Sequence, residues 1–414
     1  MAEFPVERIR QMFPALNRRG NSVFFDNAAG AQIPQKVLDA VTRHLLDCNV
    51  QRGGRYRESL DVDAAIGQAR ESVAVFLNAA DSLEVAFGLN ATSFIRLISL
   101  AIGQSLADRR EIIVTDLDHE ANVAAWLAIK REGAEIRWWT AREDGALYVE
   151  DLDPLLSART RLIACTVASN ALGTIVDVTA VAQRAHAVGA ELFLDCVHYA
   201  PHGPIDVQAW GCDYLVCSGY KIFAPHMGFL WGRQEALAAL PTYREEFIPD
   251  LAPWKIEAGT FAYENVVGMR AAIGYLEELT GLLLGTSHSG TRRQRLVSVM
   301  ESIREYESSL SRALLEGLSA IPGATVYGVR DSGSLSRRVP TVGFNIASLA
   351  PAAVAATLAS HGIAVRDGHM YSPRLMKRLG VSLESGIVRV SLVHYNTREE
   401  IAAFLRVLRE LTGH

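Results

Sequence analysis

No uninterrupted apolar run of roughly 18 residues occurs in the chain, so no membrane-spanning helix is expected. No cluster of Lys and Arg forms an electrostatic footprint, and 41 Lys and Arg against 46 Asp and Glu leave a formal charge of −5. That balance argues against nucleic acid as a main partner. The N-terminus, Met-Ala-Glu-Phe-Pro-Val-Glu-Arg, has no apolar core, so no secretory signal is read there and a cytoplasmic protein is expected. There is no G-x-G-x-x-G after an apolar run and no G-x-x-x-x-G-K-[ST], which leaves a dinucleotide or P-loop site without support. No repeat or low-complexity tract is found. Cysteine is scarce. Cys48, Cys165, Cys196, Cys212 and Cys217 are odd in number, lack zinc-type spacing, and have no successor after position 217. Cys165, Cys196 and Cys217 lie in or beside apolar runs, where a free thiol packs as a small hydrophobe. No metal is expected.

What is present is a long chain, 414 residues and 49% hydrophobic, able to bury a large core and to divide in two. Residues 1–20 read as a short amphipathic arm packing with a small domain, 21–285 as a large domain and 286–414 as the small C-terminal domain. Apolar runs near 84–87, 111–115, 135–139, 161–168, 191–194, 214–217 and 228–231 alternate with helical stretches near 92–106, 121–131 and 179–188. That βαβ rhythm predicts an α/β fold with a mainly parallel sheet covered on both faces. A helix is predicted from Pro34 to Leu46, another over Asp61–Phe76, and a third over Glu264–Thr280. Gly281–Gly290 reads as a linker, and Arg292–Leu318 as a long amphipathic helix. Short strands and helices follow (324–329, 341–346, 352–360, 388–392, 398–411), an α+β pattern.

Two of the apolar runs end in reactive residues. One stops at Asp195, with His198 three positions on; the next stops at Ser218-Gly219-Tyr220-Lys221. In an open parallel sheet, ligands bind beyond the carboxyl ends of the strands, so Asp195 and Lys221 face one crevice. An amine able to form a Schiff base and a carboxylate able to keep a pyridinium nitrogen protonated are what pyridoxal phosphate requires. Alone the pair is equivocal, since a lysine after a strand is also an ordinary loop residue. Other strand ends add to it. Ala91 and Thr92 open a helix whose N-terminal donors favour a phosphate. Ser218 and Tyr220 offer hydroxyls, His119 a ring to stack, and Asn170 and His198 hydrogen bonds to a phenolic oxygen. Lys221 would hold the aldehyde and later move the substrate Cα proton. His202 and His394 read as structural, or as supports for the residues that touch the site.

These residues sit in longer signatures: Phe25–Ala29, Asn49–Gly53, Asp118–Asn122, Ser169–Thr174, Leu194-Asp195, Ser218–Lys221, Glu257–Thr260 and Arg389–Thr397. With them the chain resembles the class V aminotransferase family, the group of cysteine desulfurases and selenocysteine lyases. The resemblance implies the type I, aspartate-aminotransferase-like fold of pyridoxal phosphate enzymes, the cofactor on Lys221, and a homodimer. It further implies that Thr260 reaches the phosphate of the neighbouring subunit and that Arg389 clamps the substrate carboxylate. Ala28, Ala29, Gln51, Arg52, Asn170 and His369 would line the substrate side. The departures are equally specific. Desulfurases of the group carry glutamine where His198 stands, and histidine where Tyr220 precedes the lysine. Their catalytic cysteine lies in an Arg-x-Gly-His-His-Cys loop; here Arg366-Asp-Gly-His-Met-Tyr-Ser372 places Tyr371 in its position.

A persulfide mechanism therefore lacks its nucleophile. The expected activity is that of a C–S β-lyase on cysteine or an S-substituted cysteine, with Lys221, His119 and Tyr371 as candidate catalytic groups. Tyr371 would donate a proton or shape the pocket. An epimerase, a transaminase and a decarboxylating deaminase share the same carbanion and remain open. A non-catalytic protein of this fold is a further alternative. So is metal-dependent hydrolysis through Asp116, Asp118 and His119, or through His198 and His202.

Overall fold

The computed structural model describes residues 4–18, 20, 22–285 and 289–413. Strands Val23–Phe24 (β1), Val85–Gly88 (β2), Glu111–Thr115 (β3), Glu135–Trp139 (β4), Thr160–Thr166 (β5), Glu191–Asp195 (β6), Tyr214–Ser218 (β7) and Gly228–Gly232 (β8) occupy the first part. β2 to β8 form one seven-stranded sheet in the order β2-β8-β7-β6-β5-β3-β4. β3, β4, β5, β6 and β7 pair in parallel, and β8 runs antiparallel to both β2 and β7. All seven apolar runs are strands of this sheet. β2, β3, β5, β6, β7 and β8 are near-continuous because both faces are covered, whereas β4, at the sheet edge, carries an exposed Glu135 and a half-buried Arg137. On β5, Ile163 and Cys165 enter one core while Leu162 and Ala164 enter the other; on β7, Leu215 and Cys217 part from Tyr214 and Val216 in the same way. Cys165, Cys196 and Cys217 are fully buried, as the apolar runs require.

Strands Ala324–Tyr327 (β9), Thr341–Ile346 (β10), Ile363–Ala364 (β11), Arg366–Gly368 (β12) and Ile387–Ser391 (β13) follow. Four of them make an antiparallel sheet in the order β12-β13-β10-β9, backed by a third core. β1 pairs in parallel with β11. The helices run Gln35–Asp47, Arg57–Leu77, Ala91–Gln104, Tyr263–Leu283, Arg292–Ser319 and Arg398–Leu411, close to expectation.

Several placements differ from the sequence reading. Val23 and Phe25, expected in the large domain, pack in the core of the C-terminal sheet, because two residues of strand suffice to add a β1–β11 pair. The arm touches both units. Phe4 stacks on Tyr306 and Arg10 binds Glu400, while Ile9, Phe13 and Leu16 enter the main core. The Arg292–Ser319 helix begins in the main core with Leu296 and Val299 and ends in the C-terminal core with Leu310 and Leu314. The predicted linker Gly281–Gly290 loses its first three residues to the preceding helix, and positions 286–288 of it lie outside the described residues.

Candidate active site

The carboxyl ends of β5, β6 and β7 and the start of the Ala91–Gln104 helix converge on one pocket. Ala91, Thr92, Ile95, His119, Ala121, Thr166, Asn170, Asp195, Val197, His198, Ser218, Tyr220 and Lys221 line it. Lys221 is buried, and its Nζ makes no hydrogen bond to a described residue; the Tyr220 ring lies 5.8 Å away. Burial first, and then the Arg389 charge, pull the amine down to about 8, against the pull of Asp195. An amine so placed is nucleophilic near neutral pH. Asp195 closes β6. Burial raises its pKa against the opposing effects of the Val197 N–H, which donates to it at 3.0 Å, and of Lys221.

The helix start leaves donors free. Asn90 caps it, accepting from Ser93 N at 2.9 Å, and Ala91 N donates to Ser218 Oγ at 3.1 Å. The N–H and hydroxyl of Thr92 bond no described residue. His119 accepts from Ala121 N at 3.1 Å through Nδ1, which leaves the hydrogen on Nε2, and burial lowers its pKa to about 4. His198 is buried, with Nε2 3.0 Å from Thr341 Oγ1.

Asn170 stands differently from expectation. Its amide is engaged by the loop 369–372: Nδ2 donates to Met370 O at 2.7 Å and Oδ1 accepts from Ser372 Oγ at 3.1 Å. Tyr371 in that loop is 55% exposed, and its ring lies 5.6 Å from His119. His369 is exposed and accepts from Tyr371 N at 3.1 Å. Arg389 is only 2% exposed. It donates to Asn170 O at 2.9 Å and to Asp26 Oδ1 at 3.1 Å, while its Nε is buried without a partner. Asp26 also holds Arg366 through three hydrogen bonds of 2.7–3.1 Å. Ala28 lies beside this hub, its N–H on Ser391 Oγ at 2.8 Å, and Ala29 caps the same turn by donating to Asp26 O at 3.0 Å.

Gln51, Arg52 and Thr260 do not reach the Lys221 pocket of their own chain. Gln51 donates to Thr260 Oγ1 at 2.7 Å, both are exposed, and Arg52 pairs with Asp63 at 3.2 Å. Asp116 and Asp118 are not poised for a metal: Asp116 holds Ala141 N and Arg378, each at 2.7 Å, and Asp118 binds Thr115, Asn122 and Thr166 N. Asp26, Arg366 and Thr341 escaped the sequence reading as site residues. Asp26 and Arg366 belonged to quoted signatures, whereas Thr341 carried no signal.

The donor set suits pyridoxal phosphate. It offers a buried unbonded amine, a buried carboxylate in no ion pair among the described residues, free donors at a helix start, and an arginine with an unpartnered Nε. The comparisons agree. A family described as "Aminotransferase class-V" matches residues 23–404. "Aminotransferase-like protein FGM3" of Gibberella zeae is 36% identical over 412 residues, covering 97% of this chain and 96% of its own. A "Probable cysteine desulfurase" of Synechocystis sp. is 34% identical over 420 residues, covering 97% and 94%. The apo cysteine desulfurase of Thermococcus onnurineus NA1 superposes with a TM-score of 0.88 at 27% identity, covering 100% of this chain and 99% of that one.

Proposed function

The chain belongs to the aminotransferase class-V family, whose members here are pyridoxal phosphate enzymes of fold type I, and from that premise we propose that it is a C–S β-lyase acting on cysteine or an S-substituted cysteine. One observation carries the reading. Tyr371 stands where desulfurases hold their cysteine, no cysteine follows Cys217, and the loop bearing Tyr371 is tied down through Asn170. A persulfide has no thiol on which to form.

When bound, pyridoxal phosphate supplies the electron sink for negative charge at the substrate Cα. Lys221 would hold its aldehyde carbon, Asp195 its ring nitrogen, and Thr92 with Ser218 its phosphate. Lys221 would also be the base placed to take the proton from the substrate Cα, and a pKa near 8 suits that role at neutral pH. Arg389 receives the substrate carboxylate, with Asp26 and Asn170 O fixing the plane of its guanidinium. In the net reaction the Cβ–S bond would break with its electron pair on sulfur, and Tyr371 or solvent would supply the proton that completes the thiol. With one water added, the three-carbon remainder would leave as pyruvate and ammonia.

His119 would cover the ring face, and its depressed pKa keeps it a neutral stacking partner. A second copy of the chain would bring its own Thr260, Gln51 and Arg52 to this site, a reading that the exposure of Gln51 and Thr260 supports. A cytoplasmic setting goes with the reading. The test is to incubate the cofactor-loaded protein with cysteine S-conjugates and to follow pyruvate and thiol by mass spectrometry. Equimolar pyruvate and thiol are expected. Cα–H exchange in deuterium oxide without elimination would replace the lyase by an epimerase, and a protein-bound persulfide would restore a desulfurase.

A further inference from the structure

We propose that Thr341, Glu307 and His202 are positioning residues that fix the ring of His198 and so determine which hydrogen bond it offers the bound cofactor. The inference rests on the assignment of His198 to the cofactor under the reading above. It adds Thr341 and Glu307, which no signature marks, and gives His202 a defined support role.

His198 lines the pocket and is buried. Its Nε2 meets Thr341 Oγ1 at 3.0 Å, and that hydroxyl, itself fully buried, bonds no other described residue. The His202 ring packs against it at 5.5 Å and 71°, edge to face. His202 is held in turn by Glu307, whose Oε2 lies 2.8 Å from Nδ1, with both side chains buried. His198 is thus fixed from two directions, by a hydrogen bond at one ring nitrogen and by a clamped ring at its side.

The consequence is chemical. Burial above all, and then the His202, Lys221 and Arg389 charges, hold His198 well below its ordinary pKa. A neutral imidazole has one donor and one acceptor nitrogen, and the partner of one decides the role of the other. Thr341 occupies Nε2, so the nitrogen left for the pocket is Nδ1. Thr341 opens β10, and its register partner on β13 is Ser391, two residues from Arg389. The sheet that delivers the substrate clamp therefore also orients the histidine at the cofactor.

Two matched pairs of full-length variants test this. Thr341→Val and Thr341→Ser differ in the hydroxyl; Glu307→Leu and Glu307→Gln differ in the acceptor for His202. The readouts are the visible absorption band of the cofactor-loaded protein and the dissociation constant for pyridoxal phosphate added to the apoprotein. Thr341→Val and Glu307→Leu should shift the band and weaken binding about tenfold, the scale of one buried hydrogen bond. Thr341→Ser and Glu307→Gln should keep the native band and affinity. Native behaviour of Thr341→Val and Glu307→Leu would overturn the proposal, as would equal defects within each pair. If one apolar variant fails to fold, the other pair decides. Failure of the unaltered chain to take up pyridoxal phosphate would overturn the reading of the pocket and this inference with it, whereas native-like variants would overturn this inference alone.

Discussion

At the scale of single residues, the pocket is defined by charges held where water does not reach them. Lys221 has its amine pulled from an ordinary 10.5 to about 8 by burial and by Arg389. Its folded pKa lies below the unfolded one, so the unfolded chain binds the extra proton between about pH 8 and 10.5. Stability of the cofactor-free protein rises with pH across that window, and below it the buried charge is a standing cost of at most about 3.5 kcal/mol. Lys221→Met should therefore make the apoprotein more stable at pH 7, with the advantage fading by pH 10.5; urea unfolding at the two pH values measures it. An unchanged difference would mean that the amine is solvated. Arg389 is the complementary case. Arg389→Ala should raise KM for the amino acid by the equivalent of about 2–5 kcal/mol, the cost of losing one side of a buried charged pair. An unaltered KM would remove Arg389 from substrate binding.

At the scale of elements, the segment 366–378 shows where sequence stops being legible. Six strands of the large sheet could be read because each is an apolar run covered on both faces, and the edge strand β4 because Ile136, Trp138 and Trp139 mark it. The three residues of β12 and the helix Pro373–Arg378 have no such pattern. Their places are set by tertiary contacts: Met370 O on Asn170, Tyr371 O accepting from Glu120 N at 2.8 Å, and Arg378 on Asp116. Met370 and Tyr371 both adopt left-handed backbone, at φ 51° and 57°, a cost that those contacts offset. The pocket-lining residues were legible for the opposite reason, since strand ends in a parallel sheet fix where side chains gather. Thr341 was not, because its partner His198 is 143 positions away. Gly173 joins the two regions. It sits at φ +78°, and a Cβ there would lie 2.4 Å from Thr341 O and 2.7 Å from Val339 O, both backbone atoms. Gly173→Ala should destabilise the protein by about 2–5 kcal/mol through left-handed strain and overpacking. It should also loosen cofactor binding by displacing Thr341. Thermal unfolding with and without pyridoxal phosphate checks both effects; a variant with native melting would show that the strand at 339–341 yields easily.

At the scale of the whole molecule, the site as proposed is incomplete in one chain. Gln51 and Thr260 form their own exposed cluster beside the half-buried Arg52, and Tyr263 also donates to Gln51 at 2.5 Å. Leu45, Leu46, Tyr56 and Leu60, on and beside the nearby helices, are exposed too. A homodimer would bury such apolar surface and carry Thr260 to the partner's phosphate. Thr260→Glu then places a negative charge against that phosphate while leaving the chain's own fold intact, because the position is at the surface. The Thr260→Glu protein should bind cofactor weakly and the Lys221→Ala protein should be inert. In a mixed dimer of the two, one site draws Lys221 from the first chain and Thr260 from the second, and is whole. Unfolding and refolding the two together should recover lyase activity that neither has alone. Mixed dimers verified by mass but still inactive would mean that each chain builds its site by itself, and would remove Thr260 from the partner's pocket.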